Sequence, residues 1–153
     1  MLGRRSHWWQ ALGFAWAGAR HAWRTQGNMR IHVGVGLLVL ALGRWLGFDA
    51  VRQAVLVLTV GLVIGAEWLN TAIEHTVDLV TRQYHPLARL AKDLAAGAVL
   101  WCGAIAVIVG FLLFLPHWQD LPALVLTAEP ARLAEMLMVA AASAALVFSG
   151  LRR

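Results

Sequence analysis

The stretch Glu67-Trp-Leu-Asn-Thr-Ala-Ile-Glu74-His-Thr-Val-Asp78 determines how the chain is interpreted, because it places three acids at the end of an apolar run. That run, residues 54–66, is interrupted by Thr59 and two glycines. At about 100° per residue, Glu74 and Asp78 lie about 20° to either side of Glu67, so the three carboxylates share one stripe of a helix. An ionised acid at a bilayer centre costs about 2.5–3.5 kcal/mol, so a row of acids on a membrane helix indicates a function.

Two interpretations of these acids are open from the residues alone. They are either ordinary surface acids where a helix leaves the membrane, or a cation site at the membrane boundary. Clustered carboxylates are the hard oxygen ligands that Mg²⁺ binds in proteins. Asn70 and Thr71 flank the same stripe with further polar groups. The pattern favours the cation site.

The composition excludes a soluble globular domain. Of the 153 residues, 60% are hydrophobic and 14% are charged, which is typical of a small integral membrane protein with one helical bundle. The net charge of +5 indicates membrane orientation and contact with anionic lipid, not nucleic acid. Cys102 is the single cysteine, so the chain contains no intrachain disulfide.

The amino-terminal residues predict an amphipathic surface helix over 6–24. Trp9, Trp16 and Trp23 project from one side of this helix, whereas His21 and Arg24 project from the opposite side. Such a helix lies in the membrane interface with its basic residues toward the headgroups. Gly27 and the next residue predict a break after it.

Three core transmembrane helices are predicted next, over residues 31–48, 51–80 and 87–115. The first is marginal, because its apolar part is short against a core of about 30 Å, and it should depend on neighbouring helices or on thinning of the bilayer. Together with the surface helix, these spans form a predicted domain over residues 1–116. Residues 117–129 are predicted as a connection, and the last part of the chain, about 136–151, as a fourth span with a hairpin or surface helix as the rival interpretation.

The basic residues predict the orientation, since they are concentrated on the cytoplasmic side of membrane proteins. With four alternating spans, Arg44, Arg52 and Arg132 fall on one side. The amino terminus and the acids share the other side, which is predicted to be cytoplasmic. That side carries Arg4, Arg5, Arg20, Arg24, Arg30, Arg82, Arg89, Lys92, Arg152 and Arg153.

A cytoplasmic cluster of acids, a lysine and arginines suits phosphoryl transfer to a lipid hydroxyl, which needs a divalent cation, positive charge around the phosphates and a base at the acceptor. The sequence contains no Walker loop and no glycine-rich kinase loop. The residues alone therefore predict a Mg²⁺ and phosphate site on a small helical membrane protein. An ion or proton conductor is the alternative class, although a relay would need polar groups across the whole thickness of the membrane.

The motifs resemble one known family. Glu67-Trp-Leu-Asn-Thr-Ala-Ile-Glu74, Val77-Asp78, Tyr84-His85 and Ala91-Lys92-Asp93, in this order and spacing, are similar to the bacterial integral-membrane diacylglycerol kinase and undecaprenol kinase family. Asn28-Met-Arg30-Ile-His32 resembles the undecaprenol kinase branch. The resemblance implies a surface helix, three spans, and a homotrimer in the bacterial inner membrane with active sites between subunits. It also implies transfer of the γ-phosphate of MgATP to a lipid alcohol.

The resemblance also implies a role for each site residue. Glu67 matches the general base and Asn70 a residue that supports it. Glu74 matches a metal ligand. The groups around the nucleotide would be Asp78, Lys92, Asp93, Arg20 and Arg30.

The chain departs from the family pattern at two places. Gln26 stands where the family has a second metal-binding acid, and its amide oxygen can still bind a metal but without the negative charge. Either water or Asp93 then completes the metal's ligand shell, or we expect weaker Mg²⁺ binding or a catalytically weak relative. The predicted carboxy-terminal span lies outside the three-span pattern, and the residues indicate no role for it.

Overall fold

The computed structural model describes residues 8–152, and these residues are helical with short connections. Six α-helices and one 3-10 helix are found among them. Their bounds are α1 Trp8–Thr25, α2 Gly27–Trp45, α3 Ala50–Val80, α4 Pro86–Phe114, the 3-10 helix Leu115–His117, α5 Asp120–Leu126 and α6 Pro130–Leu151. The all-helical membrane fold is therefore confirmed.

Helix α1 confirms the predicted amino-terminal amphipathic helix and ends one residue later than expected. The predicted residues 6 and 7 lie outside the described part of the chain. Ala22 is buried against the bundle, while Trp9 and Trp16 remain well exposed. The small residues of α1 thus contact the bundle, and its tryptophans are left for the membrane interface.

The break between α1 and α2 is shorter than predicted. Gln26 alone is extended, with φ −103° and ψ 113°, and α2 begins directly at Gly27. The helix that contains the predicted first span of 31–48 therefore differs from it at both ends. Helix α2 starts four residues earlier and ends at Trp45, because Gly47 adopts a positive φ of 75° in the turn to α3. Asp49 then caps α3, its side chain accepting a hydrogen bond from the Arg52 backbone N–H.

Three described helices are long and apolar enough to cross a membrane: α3, α4 with its 3-10 extension, and α6. Helix α2 fails this criterion of composition, since Asn28, Arg30, His32 and Arg44 interrupt it. It packs instead along α3 and, more extensively, along α6. The predicted first span therefore has neighbouring helices to pack against, and α6 supplies much of that packing.

The predicted connection 117–129 is more ordered than expected, because it contains the two-turn helix α5. Helix α6 begins at Pro130, as the proline predicted, and runs antiparallel to α2. The antiparallel direction follows from two contacts at opposite ends. Arg30 near the start of α2 reaches Ser149 near the end of α6, and Arg132 near the start of α6 reaches Trp45 at the end of α2.

The long helices α2, α3, α4 and α6 therefore alternate in direction. The helix ends that contain the predicted site residues lie together at one end of the bundle. This end, called the site end below, contains the α1–α2 junction, the carboxy-terminal turns of α3 and α6, and the first turns of α4. The opposite end contains the α2–α3 turn and the first turn of α6. Among the described basic residues, Arg44, Arg52 and Arg132 lie at the opposite end, and the site end carries Arg20, Arg24, Arg30, Arg82, Arg89, Lys92 and Arg152.

Candidate active site

The centre of the candidate site is one buried polar turn of α3. Glu67 is 2% exposed, and Asn70 and Thr71 are buried beside it. The Thr71 hydroxyl donates to the Glu67 backbone carbonyl at 2.9 Å, which leaves the Glu67 carboxyl available to other groups. Asn28 on α2 lines the same cleft as that carboxyl. A buried carboxylate is poorly solvated, so it is a better proton acceptor than one in water.

Asn70 connects this turn to the next one. Its amide nitrogen donates to Glu74 Oε1 at 3.1 Å, and its carbonyl oxygen Oδ1 is buried without a partner. Buried polar atoms are usually paired, so an unpaired acceptor marks a place where another donor or a cation fits. Glu74 itself is half-buried at the edge of this turn.

An apolar cleft of about 590 Å³ leads away from these polar groups. Asn28, His32, Glu67 and Asn70 line its polar part. The opposite wall comes from the small and aliphatic face of α4, namely Ala96, Val99, Leu100, Gly103, Ala104 and Val107. The cleft thus combines an apolar wall with a few convergent polar groups, as small-molecule sites do.

A second group of charges lies one to three turns farther along α3. Lys92 on α4 donates to Asp78 Oδ1 at 2.5 Å, so this ion pair joins the two helices across the Thr81–His85 connection. Both side chains are partly exposed, and Asp93 pairs with Arg89 at 3.5 Å on the exposed face of α4. The structure therefore brings Asp78 together with Lys92 but directs Asp93 to a neighbour on its own helix.

The remaining predicted residues lie on α1 and at the α1–α2 junction. Arg20 is exposed on α1. Gln26 is half-buried at the amino-terminal cap of α2 and gives that helix no side-chain capping hydrogen bond. Arg30 is engaged by backbone groups, since its guanidinium donates to the Trp23 and Ser149 carbonyls.

Two pairs of polar residues were missed as site residues by sequence reasoning. His21 and His75 approach with their Nε2 atoms 3.2 Å apart, which joins α1 to α3. His32, with Asn28, faces the cleft from α2. The Asn-Met-Arg-Ile-His motif was a signal for the second pair, whereas the first depends on how α1 docks.

The oxygen donors present fit a divalent cation. Mg²⁺ typically uses one or two carboxylates together with water and substrate phosphates. Glu74 and the unpaired Asn70 Oδ1 provide such donors on adjacent turns. Residues 8–152 contain no group of three or more histidine, cysteine or acidic side chains able to hold a metal by themselves. A site shared with a nucleotide is compatible with both observations.

Comparisons with known proteins cover most of the membrane bundle. The model of the prokaryotic diacylglycerol kinase family matches residues 13–114. A diacylglycerol kinase of Synechocystis sp. is 51% identical over 104 residues, which are 67% of this chain and 59% of that protein. An undecaprenol kinase of Bacillus subtilis is 44% identical over 93 residues, 61% of this chain and 76% of that protein. A diacylglycerol kinase of Escherichia coli is 37% identical over 109 residues, 71% of this chain and 89% of that protein.

The matched region has clear structural limits. It includes all of α2, α3 and α4 and ends at the last residue of α4, so α5 and α6 lie beyond it. The chain spans 59% of the length of the Synechocystis relative. The resemblance inferred from the acidic motifs is confirmed by the family match over two thirds of the chain, and this protein belongs to the prokaryotic diacylglycerol kinase family.

Proposed function

We propose that the protein is a lipid kinase that transfers the γ-phosphate of MgATP to a lipid alcohol at the cytoplasmic face of the bacterial inner membrane. The observation that carries the proposal is the buried Glu67–Asn70 turn at the head of an apolar cleft, with the Asp78–Lys92 pair on the same side of the bundle. This arrangement supports a base at the entry point of a lipid hydroxyl and positive charge beside the phosphates.

Glu67 is the proposed general base. Its burial reduces solvation of the carboxylate, and the apolar cleft beside it suits a lipid chain. Proton removal from the acceptor hydroxyl then prepares the oxygen that attacks the γ-phosphorus. Asn70, one turn away, keeps Glu74 in place through its amide and presents Oδ1 toward the same region.

Glu74 is the proposed ligand of the magnesium ion, with Gln26 as a neutral second ligand. When bound, the metal neutralises charge on the phosphates of ATP. Gln26 would contribute an amide oxygen without the negative charge of the acid that the family pattern has there. The expected consequence is weaker binding of Mg²⁺ by the protein, with more of the metal's binding coming from the nucleotide.

Lys92, Asp78 and Asp93 are the proposed nucleotide-binding residues of α3 and α4. The Lys92 ammonium is held by Asp78 and is partly exposed, so it is available to a phosphate. Arg20 is exposed on α1 at the same end and supplies further positive charge.

The orientation and assembly form part of the proposal. The basic residues at the site end favour a cytoplasmic location for that end, and the amino terminus precedes α1 on the same side. The relatives are named diacylglycerol kinase and undecaprenol kinase, so these two lipid alcohols are the proposed acceptors. A homotrimer with shared active sites is the proposed assembly.

The proton or ion conductor is not supported by the pattern of polar groups. Thr59 is the one polar side chain between residues 54 and 66, and its hydroxyl donates to the Val55 carbonyl of its own helix. A relay across the membrane would need further polar groups there.

A phosphorylation assay tests the proposal. Purified full-length protein in lipid bilayers receives MgATP labelled on the γ-phosphate and, in parallel, diacylglycerol or undecaprenol. We expect label in the lipid fraction and a preference for one acceptor. Absence of labelled lipid with both acceptors, in protein that remains folded, would contradict the lipid kinase assignment.

A further inference from the structure

Helix α6 lies outside the matched family region, yet it makes the most extensive helix–helix contact of the described chain, with α2. The two backbones approach closely at both crossing points. A Cβ atom on Gly34 would lie 2.8 Å from the Ser143 carbonyl oxygen, and one on Gly150 would lie 2.6 Å from the Gly27 carbonyl oxygen. Glycine at these positions permits the approach, as small residues do at helix interfaces in membranes.

The ends of the α2–α6 pair are joined by two reciprocal arginines. Arg132 near the start of α6 donates to the carbonyl of Trp45, the last residue of α2, at 2.6 Å. Arg30 near the start of α2 donates to the Ser149 carbonyl in the last turn of α6 at 3.0 Å. The last carbonyls of a helix have no partner within the helix and carry partial negative charge, so each arginine satisfies the other helix at that end.

Arg30 also joins a third helix. Its second donor contacts the Trp23 carbonyl in the last turn of α1 at 2.9 Å. One guanidinium thus ties the carboxy-terminal turns of α1 and α6 to the first turn of α2. Gln26 and Asn28, which the proposed metal and acceptor sites use, lie between these attachment points.

We propose that α6 is a fixed part of the catalytic unit. Arg30 is the positioning residue, because through it the packing of α6 against α2 sets the orientation of the α1–α2 junction. Arg30 acts through backbone carbonyls of two helices instead of through a nucleotide phosphate. The expected effect on catalysis rests on the proposed kinase function, whereas the packing of α6 against α2 of the same chain does not.

Docking is tested first, without any activity measurement. In a Cys102→Ala background, Gly34→Cys is combined with Leu146→Cys. A Cβ on Gly34 would lie 3.1 Å from the Leu146 Cβ and 2.8 Å from the Ser143 carbonyl oxygen, so the two helices must separate slightly, which brings the pair toward the Cβ–Cβ distance of about 3.5–4.5 Å found in disulfides. Oxidation in native membranes should give a reducible cross-link within one chain. A cross-link between chains, or none, would overturn the docking of α6 in cis.

The positioning role is tested with Gly150→Leu, which forces the end of α6 away from α2 without changing charge. Small misplacements at a reactive centre reduce rates strongly, so we expect kcat/KM to fall by about tenfold or more. Gly61→Leu is the matched control, because a Cβ on Gly61 meets nothing within 4 Å, and it should change kcat/KM by less than about twofold. Equal effects of the two variants would contradict the proposal.

A double substitution separates positioning from nucleotide binding. If Arg30 acts through α6, Arg30→Ala added to Gly150→Leu should have less than about a twofold further effect, because the two changes break one unit. The loss in Arg30→Ala alone should lie mainly in kcat, with partial rescue by Arg30→Lys, which can donate to one of the carbonyls. A full additional loss in the double variant, expressed as a raised KM for MgATP, would instead identify Arg30 as a nucleotide contact. If the wild type shows no kinase activity but the cross-link forms, the proposed function fails and the docking stands.

Discussion

The two ends of the membrane bundle differ in the polar groups that they bury. At the opposite end, Phe48 is buried with its ring 5.1 Å from Phe114 and 5.3 Å from His117, and Asp49 caps α3 through a hydrogen bond to the backbone. At the site end, Glu67 and Asn70 are buried in a turn whose Asn70 Oδ1 has no partner. The opposite end is closed by apolar ring contacts, although the Nε1 of its buried Trp45 also lacks a partner, whereas the site end buries an acid, Glu67, close to the unpaired atom.

One helix, α3, thus has residues that stabilise the fold at one end and residues of the candidate site at the other. Helix α3 contributes to both ends, with its first residues in the closed turn and its last three turns in the site. A buried polar atom without a partner costs stability, and among the described unpaired atoms Asn70 Oδ1 belongs to a residue that lines the cleft beside Glu67. Substitutions at the closed end should therefore reduce stability, and those at the site end should reduce activity in a protein that stays folded.

The largest expected effect is that of Glu67→Gln. The amide keeps the shape of the side chain but cannot accept the proton of the acceptor hydroxyl, and general base catalysis contributes about 10²–10⁴-fold to rate. We expect kcat to fall by that factor, measured as lipid phosphorylation in bilayers. Glu135→Gln, an exposed acid at the start of α6, is the control and should retain full activity. Activity of Glu67→Gln near the wild-type level would remove the base assignment.

A smaller effect is expected for Lys92→Met. A hydrogen bond to a charged group is worth about 1.5 kcal/mol or more, so KM for MgATP should rise by roughly tenfold. The exposed ion pair with Asp78 should cost less than about 1 kcal/mol in stability. Arg89→Met also removes an exposed ion pair of α4, that with Asp93, and should leave KM nearly unchanged. A similar KM for both variants would show that Lys92 does not meet the nucleotide.

Phe48→Ala tests whether the closed, opposite end of the bundle contributes to stability and not to catalysis. The ring contacts with Phe114 and His117 are worth about 0.5–1.5 kcal/mol beyond area burial, so thermal unfolding in detergent should begin at lower temperature. The kcat of the folded fraction should not change. Phe148→Ala, an exposed phenylalanine of α6, should leave the unfolding temperature almost the same. Reduced kcat in folded Phe48→Ala would show that the two ends are coupled.

The smallest effect is expected for Gln26→Glu. A carboxylate about 4 Å from a unit positive charge gains roughly 1 kcal/mol in water. Because the nucleotide phosphates neutralise part of the charge of Mg²⁺, the Mg²⁺ concentration for half-maximal activity should fall by about fivefold. Gln83→Glu adds the same charge in the exposed loop between α3 and α4 and should not change the Mg²⁺ dependence. If both variants behave alike, Gln26 is not a metal ligand.

Most of the helical architecture was predictable, and the errors fall at junctions. Pro130 and the polar Gly47–Asp49 segment marked real boundaries, because proline and positive-φ glycine restrict the backbone locally. The start of α2 was placed too late, since Gly27 and Asn28 suggest a break that packing against α6 replaces with helix. The two-turn helix α5 gave too short a pattern to be predicted.

The candidate site was predictable where it lies on one helix. Glu67, Asn70 and Glu74 share a stripe because helical periodicity fixes their spacing, and the structure joins Asn70 to Glu74 directly. The His21–His75 contact could not be predicted, because it depends on how a surface helix docks onto another element. The backbone partners of Arg30 could not be predicted either, because Trp23 and Ser149 lie 7 and 119 residues from it along the chain.

By itself, the sequence determined an all-helical membrane protein, the row of acids on α3 and the family to which the chain belongs, because helical periodicity and apolar length are local properties. Only the tertiary structure decided the partners of α2, the engagement of Arg30 and the position of α6 beside the site end. Those features depend on contacts between residues far apart in the chain. Close approach at Gly34 and Gly150 and the carbonyls at helix ends become visible only when the helices are packed.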